Sequence, residues 1–172
     1  NMDSARKKLY PWAAALPKKL STRFATLWGL GSLNAPGTWG SAAGIVLYAA
    51  LFAGIGLGRY IIFAAIFAYI CVGICDTAER FLKMRDPGCI VLDEFCAIPF
   101  CFLPVFHSEY SAWGVLLGFA FFRFFDITKP FIINKMQDFE GGLGCVADDI
   151  AAALASCICL NIFGLIFPVV FA

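Results

Sequence analysis

The chain alternates between long apolar segments and short clusters of charged and turn-forming residues. Apolar runs of this kind are typical of membrane-spanning helices, which need about 20 residues to cross a hydrocarbon core about 30 Å thick. Several of the runs are shorter than that, so we expect the helices to extend past the flanking charged residues. Five such segments cover residues 44–58, 60–75, 90–106, 111–125 and 150–171.

Composition supports a membrane location. Hydrophobic residues make up 61% of the chain, 19 of its residues are Phe, and the mean hydropathy is +0.82, which is outside the range of soluble globular proteins. A formal net charge of +1 gives no indication of a nucleic-acid partner. We therefore expect an all-α, polytopic membrane helical bundle of about five spans, forming one domain over residues 1–172, with residues 1–40 as a cytoplasmic leader and loop.

The distribution of charge predicts an orientation. With five spans, every Lys and Arg except Arg59 falls on the side of the N-terminus, so the positive-inside rule predicts a cytoplasmic N-terminus and an external C-terminus. Every Asp and Glu except Glu109 lies on that same side, which the rule does not require. We interpret this as chemistry at the cytoplasmic face. Residues 18–30 are either an amphipathic helix on the membrane surface or a leader that only supplies positive charge.

Cysteine and histidine offer little for covalent or thiolate chemistry. The cysteines within apolar runs have no zinc-type spacing, so we interpret them as small hydrophobic residues. The single histidine, His107, is predicted on the opposite side from the acids, which leaves a phosphohistidine mechanism without a nucleophile. The cysteines in question are Cys71, Cys75, Cys96, Cys101, Cys157 and Cys159.

Two adjacent carboxylates, Asp93 and Glu94, stand inside the apolar stretch DPGCIVLDEFCAIPF, residues 86–100. If the helix starts near Gly88, they lie on the order of 6 Å inside it. A carboxylate at that depth is costly unless it faces a cation, a partner or a polar cavity. The alternative is that both side chains reach the membrane interface or cap a helix N-terminus, where negative charge is favoured.

A second acidic pair, Asp148 and Asp149, precedes the last apolar segment in EGGLGCVADDIAAAL. One of the two could be an N-cap, but a helix does not need two. The glycines before them, at 141, 142 and 144, permit positive φ angles and hence an anion-binding nest, although loop flexibility explains them equally well.

Asp126 lies at the end of the fourth apolar segment, in FRFFDITKP. An anion at a helix C-terminus opposes the helix dipole. Either Arg123 pairs with it at a spacing of three residues, or Asp126 holds a metal while Lys129 meets an anionic substrate.

Turn residues and hydroxyls precede the first apolar segment in LNAPGTWGSAAG, residues 33–44. Pro36 and Gly37 suit a tight turn, and Ser41 suits an N-cap. In the functional interpretation, the hydroxyls of Thr38 and Ser41 bind phosphate at a helix N-terminus.

Oxygen ligands of this kind suit Mg²⁺, which binds one or two carboxylates together with substrate phosphate. The sequence therefore indicates metal-assisted attack of water on a phosphorylated lipid. One alternative is a small membrane transporter or channel subunit with an acid-lined cation site, which predicts acids throughout the membrane depth. Another is an alcohol phosphotransferase, but the paired Asp-x3-Asp segments of that class are absent. Oligomeric state is left open.

Four motifs together resemble the phosphatidylglycerophosphatase A family of bacterial integral-membrane lipid phosphatases. They are APGTWGS at 35–41, DPGCIVLDEF at 86–95, FRFFDITKP at 122–130 and GGLGCVADD at 141–149. The resemblance implies Mg²⁺-dependent hydrolysis of phosphatidylglycerophosphate to phosphatidylglycerol and phosphate, at the cytoplasmic face of a bacterial inner membrane.

Carried onto this chain, the resemblance implies functional roles for a defined set of side chains. The leading candidates for catalysis are Asp93, Glu94, Asp126 and Asp149. The expected metal ligands are Asp86, Asp93, Glu94, Asp148 and Asp149. Substrate binding is expected of Pro36, Gly37, Thr38, Ser41, Arg123 and Lys129.

Overall fold

The computed structural model describes residues 9–105, 109–168 and 171, and over these residues its regular structure is entirely helical. His107, predicted opposite the acids, lies outside the described residues. A 3₁₀ segment, Leu27–Ser32, follows the first two helices, and a π-helical turn, Tyr48–Phe52, extends the third. The helices are α1 (Pro11–Ala14), α2 (Lys18–Ala25), α3 (Pro36–Leu47), α4 (Leu57–Leu82), α5 (Leu92–Cys101), α6 (Ala112–Thr128), α7 (Phe131–Met136) and α8 (Gly142–Ile166).

The apolar segments correspond to α3, α4, α5, α6 and α8, but the helices start and end at other residues. As expected, two of them extend past charged side chains: α4 continues beyond Asp76 and Glu79, and α8 begins well before Asp148. By length and apolar composition, α4 and α8 are the two described helices that could cross a membrane. Residues 18–30 were interpreted either as an amphipathic helix or as a leader that only supplies charge, and the structure has a helix, α2, over part of this range.

The short helix α5 lies at the centre of the bundle, where it contacts α3, α4, α6 and α8. Its ten residues span about 15 Å. Pro99 stands inside it and cannot donate a backbone hydrogen bond. The hydroxyl of Tyr60, on α4, donates to the carbonyl oxygen of Pro99 at 2.6 Å. This hydrogen bond attaches the C-terminal end of α5 to α4.

Glycines allow the backbones around α5 to approach closely. A Cβ at Gly40 or Gly44 of α3 would collide with Val91 or Ile98, respectively. On the opposite side, a Cβ at Gly118 of α6 would collide with the ring of Phe102. These contacts fix the position of α5, and therefore of the carboxylates in its first turn.

The outer surface of the bundle is rich in exposed apolar side chains, which soluble monomers rarely show as extended areas. Val46 of α3 and Leu165 of α8 are each more than two-thirds exposed. Other large apolar side chains on this surface include Ile61, Ile62, Phe63 and Ile66 of α4, Trp113 and Leu116 of α6, and Ile158 and Ile162 of α8. This surface fits a lipid environment.

The cysteines agree with the sequence interpretation in burial and redox state. Cys71, Cys75, Cys96, Cys101 and Cys157 are buried free thiols, and Cys159 is a partly buried one. Most of them pack within the apolar interior, as small hydrophobic residues do. Cys145, which the sequence did not single out, is also buried, but it faces carboxylates.

Candidate active site

Four helix segments and one loop bring polar groups to the same end of the bundle. The N-terminus of α3, the first turn of α5, the C-terminal turn of α6 and the second and third turns of α8 meet there, beside the loop that contains Asp86. Between them lies a cavity of about 310 Å³. Its lining includes Ala35, Pro36, Gly37, Asp86, Asp93, Glu94, Arg123, Asp126, Lys129, Cys145, Asp148 and Asp149.

Asp93 and Glu94 occupy the first turn of α5, where a negative charge is favoured by the helix dipole. The Glu94 amide donates to Oδ1 of Asp93 at 3.0 Å. Asp93 is buried and Glu94 is partly buried, and both line the cavity. Both acids therefore face a polar cavity, as the functional interpretation expects, whereas the capping interpretation was wrong because the N-cap of α5 is Val91 and no side chain caps the helix.

Asp148 and Asp149 lie inside α8 rather than at its start. The N-cap residue of α8 is Gly141, so the interpretation of either acid as an N-cap was wrong. The nest interpretation also fails for Gly142 and Gly144, because only Gly141 among the three has a positive φ, of 66°. The other two are needed for close packing: a Cβ at Gly142 would strike α4 at Asp76, and one at Gly144 would strike the Phe139 carbonyl.

Two cationic side chains are held beside the acids by ion pairs. Arg123 Nη1 lies 2.5 Å from Asp126 Oδ2, which is the pairing expected from their spacing, and Lys129 Nζ lies 2.5 Å from Asp148 Oδ2. Burial lowers the pKa of Lys129, but the hydrogen bond that Lys129 donates to Asp148 and the nearby negative charges outweigh it, so the pKa is raised above its ordinary value. Lys129 is therefore cationic at neutral pH.

The carboxylates of the cavity outnumber its cations. Six acids and two basic side chains line it. Glu94 Oε2 and Asp148 Oδ1 are buried and accept no hydrogen bond from the described part of the chain. Buried negative charge without a partner is unfavourable, so the cavity favours an added cation.

Three of these acids are close enough to share one ion. One carboxylate oxygen from each of Asp93, Glu94 and Asp149 lies within 4.8 Å of the other two. Such oxygen donors match the preference of Mg²⁺. The residues therefore fit the metal that the sequence predicts, and Glu94 Oε2 supplies an oxygen with no competing partner.

A second group of candidate ligands includes a sulfur atom. Asp86, Asp93 and Cys145 each offer one ligand atom, and these atoms also lie within 4.8 Å of one another. The Cys145 thiol donates to Asp93 Oδ2 at 2.8 Å and lies 3.7 Å from Asp86 Oδ1. Asp93 belongs to both groups.

The N-terminal part of α3 contributes only some of the predicted substrate-binding residues to the cavity. Pro36 and Gly37 line the cavity, and a Cβ at Gly37 would strike the ends of Glu94 and Arg123. Thr38 is exposed and does not line it. Ser41 donates its hydroxyl to the Gly37 carbonyl at 2.7 Å. The N-cap of α3 is Ala35 and its first residues are Pro36 and Gly37, so the N-cap interpretation of Ser41 and the tight-turn interpretation of Pro36 and Gly37 were both wrong.

Three residues that border the cavity have left-handed backbone conformations without being glycine. The φ angles are 56° at Ala35, 44° at Asp86 and 40° at Lys129. Such conformations are uncommon for L-residues and concentrate at functional sites. Glu79 supports one of them, because its Oε1 accepts the Asp86 amide at 2.8 Å.

Sequence reasoning missed Cys145, Asp76 and Glu79. Cys145 lies three residues before Asp148 and four before Asp149, so helical spacing places all three on one face, and this was the available signal. Asp76 contacts the start of α8 through the Gly142 amide at 3.4 Å and pairs with Arg80 at 3.2 Å. Asp76 and Glu79 lie three residues apart on α4, which would have indicated a shared face.

The fold and the cavity define a class: a helical protein with an acidic cavity at one end of the described bundle and an apolar outer surface. A family model described as phosphatidylglycerophosphatase A matches residues 23–164. The chain therefore belongs to the phosphatidylglycerophosphatase A family, and it is an enzyme of the phosphoric monoester hydrolase class.

Curated relatives agree with this assignment. The chain is 39% identical over 121 residues to a phosphatidylglycerophosphatase A of Haemophilus influenzae, covering 70% of this chain and 73% of the relative. It is 31% identical over 102 residues to the Escherichia coli phosphatidylglycerophosphatase A, covering 58% of each.

A third relative, from Bacteroides thetaiotaomicron, is named provisionally as a phosphatidylinositol-3-phosphatase. It is 37% identical over 78 residues, covering 45% of this chain and 49% of the relative. No solved structure matches the chain significantly.

Proposed function

We propose that this chain hydrolyses phosphatidylglycerophosphate to phosphatidylglycerol and inorganic phosphate in a Mg²⁺-dependent reaction at the cytoplasmic face of a bacterial inner membrane. Family membership carries the reaction class, and the relatives from H. influenzae and E. coli carry the substrate. The observation that supports a metal is the cluster formed by Asp93, Glu94 and Asp149 beside a buried carboxylate oxygen without a partner.

In this proposal, Asp93, Glu94 and Asp149 hold Mg²⁺, with Asp86 and Asp148 at the edge of the site. When bound, the ion supplies positive charge that offsets the phosphate charge and makes water more acidic. The chain supplies the rest: Lys129 and Arg123 donate hydrogen bonds to phosphate oxygens and stabilise the charge that spreads over them.

Hydrolysis requires a water oxygen to bond to phosphorus while the bond from phosphorus to the glycerol oxygen breaks. One cavity carboxylate accepts a proton from the attacking water, and the glycerol oxygen gains a proton as it leaves. Asp126 is a positioning group in this scheme, because its ion pair aims the Arg123 guanidinium. Gly37 leaves room for that arrangement, since a side chain there would displace Glu94 and Arg123.

The membrane arrangement is part of the proposal. The apolar outer surface and two membrane-length helices support integral insertion, and the positive-inside rule supports about five spans with a cytoplasmic N-terminus. A fluorescent maleimide on Lys83→Cys, in the loop after α4, would test the orientation. Labelling in inverted but not in right-side-out vesicles is expected, and the reverse would contradict it.

The transporter alternative has less support. It predicts acids along the membrane depth, whereas the acids that line the cavity lie together at one end of the described bundle. Family membership also favours the hydrolase.

The deciding experiment measures phosphate release by purified protein in detergent. We expect phosphate release from phosphatidylglycerophosphate in the presence of Mg²⁺. The release should stop when EDTA is added and return when Mg²⁺ is restored in excess. Phosphatidylinositol 3-phosphate is the comparison substrate, since one relative is named for it. Faster hydrolysis of the comparison lipid would contradict the proposed substrate, and turnover unaffected by EDTA would contradict the proposed dependence on Mg²⁺.

A further inference from the structure

The carboxylates Asp86 and Asp93 and the thiol of Cys145 form a ligand group of mixed chemistry. They come from three separate parts of the chain, namely the loop after α4, the first turn of α5 and the second turn of α8. Their ligand atoms lie within 4.8 Å of one another. The spacing suits a common ion rather than three independent side chains.

Cys145 belongs to the same buried apolar cluster as Cys71, Cys75 and Cys96, but of these four thiols it is the one that lines the cavity. It is buried, lines the cavity, and donates to Asp93 at 2.8 Å. A sulfur ligand changes the metal preference of a site, because thiolates select soft or borderline cations such as Zn²⁺ and Cd²⁺, whereas oxygen-only sites suit Mg²⁺.

A second observation points to a cation in the same cavity. Asp148 is 1% exposed, lines the same cavity as Asp86 and Cys145, and its Oδ1 accepts no hydrogen bond from the described chain. Its other oxygen is already paired with Lys129. A buried carboxylate oxygen of this kind lacks the partner that burial normally requires.

We infer that Asp86, Asp93 and Cys145 form a binding site for a thiophilic divalent cation, such as Zn²⁺ or Cd²⁺, and that its occupation inhibits hydrolysis. Asp93 connects the two effects, because it also belongs to the oxygen group with Glu94 and Asp149. A cation bound to Cys145 also binds the Asp93 carboxylate, which is then less available to Mg²⁺. It also adds positive charge next to the proposed Mg²⁺ site. The inhibition step rests on the proposed function, whereas the binding step does not.

The binding test needs no lipid substrate. Purified wild-type protein in detergent is titrated with Cd²⁺, and thiolate-to-cadmium charge-transfer absorption is followed in the ultraviolet. We expect a saturable band that Cys145→Ser loses, because the hydroxyl is a hard and weakly acidic donor. Cys159→Ser is the matched control, since Cys159 lies on the same helix, about 21 Å further along its axis, and should keep the band.

Asp86→Asn provides a second variant that does not alter the buried thiol. Asp86 is exposed in a loop, so this change is tolerated by the fold. It should weaken Cd²⁺ binding by about tenfold or more, because the loss of even a residue that only supports a metal ligand lowers metal affinity by that much. A band that is missing from the wild type, or unchanged in both Cys145→Ser and Asp86→Asn, would overturn the site.

The inhibition test measures phosphate release at constant Mg²⁺ with increasing Cd²⁺. Wild type and Cys159→Ser should be inhibited over the same Cd²⁺ range as the absorption change. Full activity at saturating Cd²⁺ would overturn the inhibition. If the wild type shows the Cd²⁺ band but hydrolyses no phosphatidylglycerophosphate, the proposed function fails and the cation site remains.

Discussion

The amine of Lys129 lies 2.5 Å from a carboxylate oxygen of Asp148, across the gap between the end of α6 and the body of α8. Lys129 has a left-handed backbone conformation that ends α6 and turns the chain toward α7. The ion pair therefore joins two helices at the cavity and keeps the amine that is proposed to bind phosphate in place. Its removal should affect both stability and catalysis.

Lys129→Met is expected to leave Asp148 buried without its cation. The free energy of unfolding should fall by about 3 kcal/mol, at the lower end of the range for broken buried pairs because Lys129 is 26% exposed. Phosphate release should fall by about 100-fold as well. Denaturant unfolding in detergent and initial rates measure the two effects.

The double variant Lys129→Met with Asp148→Asn separates those effects. Neutralising Asp148 removes the unpaired charge, so part of the lost stability should return while activity stays low. If the double variant is as active as the wild type, Lys129 does not contact substrate.

Gly37→Ala tests the space beside Glu94 and Arg123. The added Cβ would push the ends of both side chains, so we expect turnover to fall about tenfold while the free energy of unfolding changes by less than about 1 kcal/mol. Gly58→Ala is the control, since nothing lies within 4 Å of a Cβ built there. Equal activity of the two variants would show that Gly37 is not part of the site.

Asp149→Asn tests the oxygen group that is proposed to hold Mg²⁺. Replacing one carboxylate oxygen by an amide should raise the Mg²⁺ concentration needed for half-maximal activity at least about tenfold and reduce the maximal rate. Asp138→Asn is the comparison, because Asp138 is exposed and does not line this cavity. Asp149 would lose its assigned role if Mg²⁺ dependence and rate stayed at wild-type values.

Glu79→Leu tests the support of the loop that contains Asp86. Without the acceptor, the Asp86 amide loses a bond of 2.8 Å and its left-handed conformation loses support. We expect a higher Mg²⁺ concentration for half-maximal activity and a rate reduction of about tenfold. Glu79→Gln keeps an oxygen acceptor and should lie closer to the wild type; identical rates for both variants would contradict a positioning role.

Asp93 and Glu94 could be predicted from sequence because carboxylates in an apolar run are chemically conspicuous. The predicted helix start near Gly88 was wrong, because the helix begins at Leu92 and both acids therefore stand in its first turn. The start of α8 was not predicted correctly either. Gly142 and Gly144 looked like turn residues, but they are helical and pack against α4 and the preceding loop, so the helix begins earlier and both aspartates lie within it.

Cys145 and the supporting acids on α4 depend on tertiary contacts that no local pattern encodes. The sequence interpretation of most cysteines as buried apolar residues is confirmed, and Cys145 is buried among them but also donates to Asp93. Asp76 contacts the first turn of α8, which lies far from it along the chain. Helical spacing shows which residues share a face of one helix, but it does not show which residue of another helix they contact.

The shortness of α5 has a consequence for biogenesis. Ten residues reach about half-way through a hydrocarbon layer about 30 Å thick, so this segment is not stable in lipid as an independently inserted unit. It requires shelter from neighbours on every side, and one of them, α8, is synthesised after α3, α4, α5 and α6. A nascent chain arrested before residue 142 should therefore hold Asp93 and Glu94 in an unfinished bundle, and the acidic cavity is complete only after α8 has been inserted.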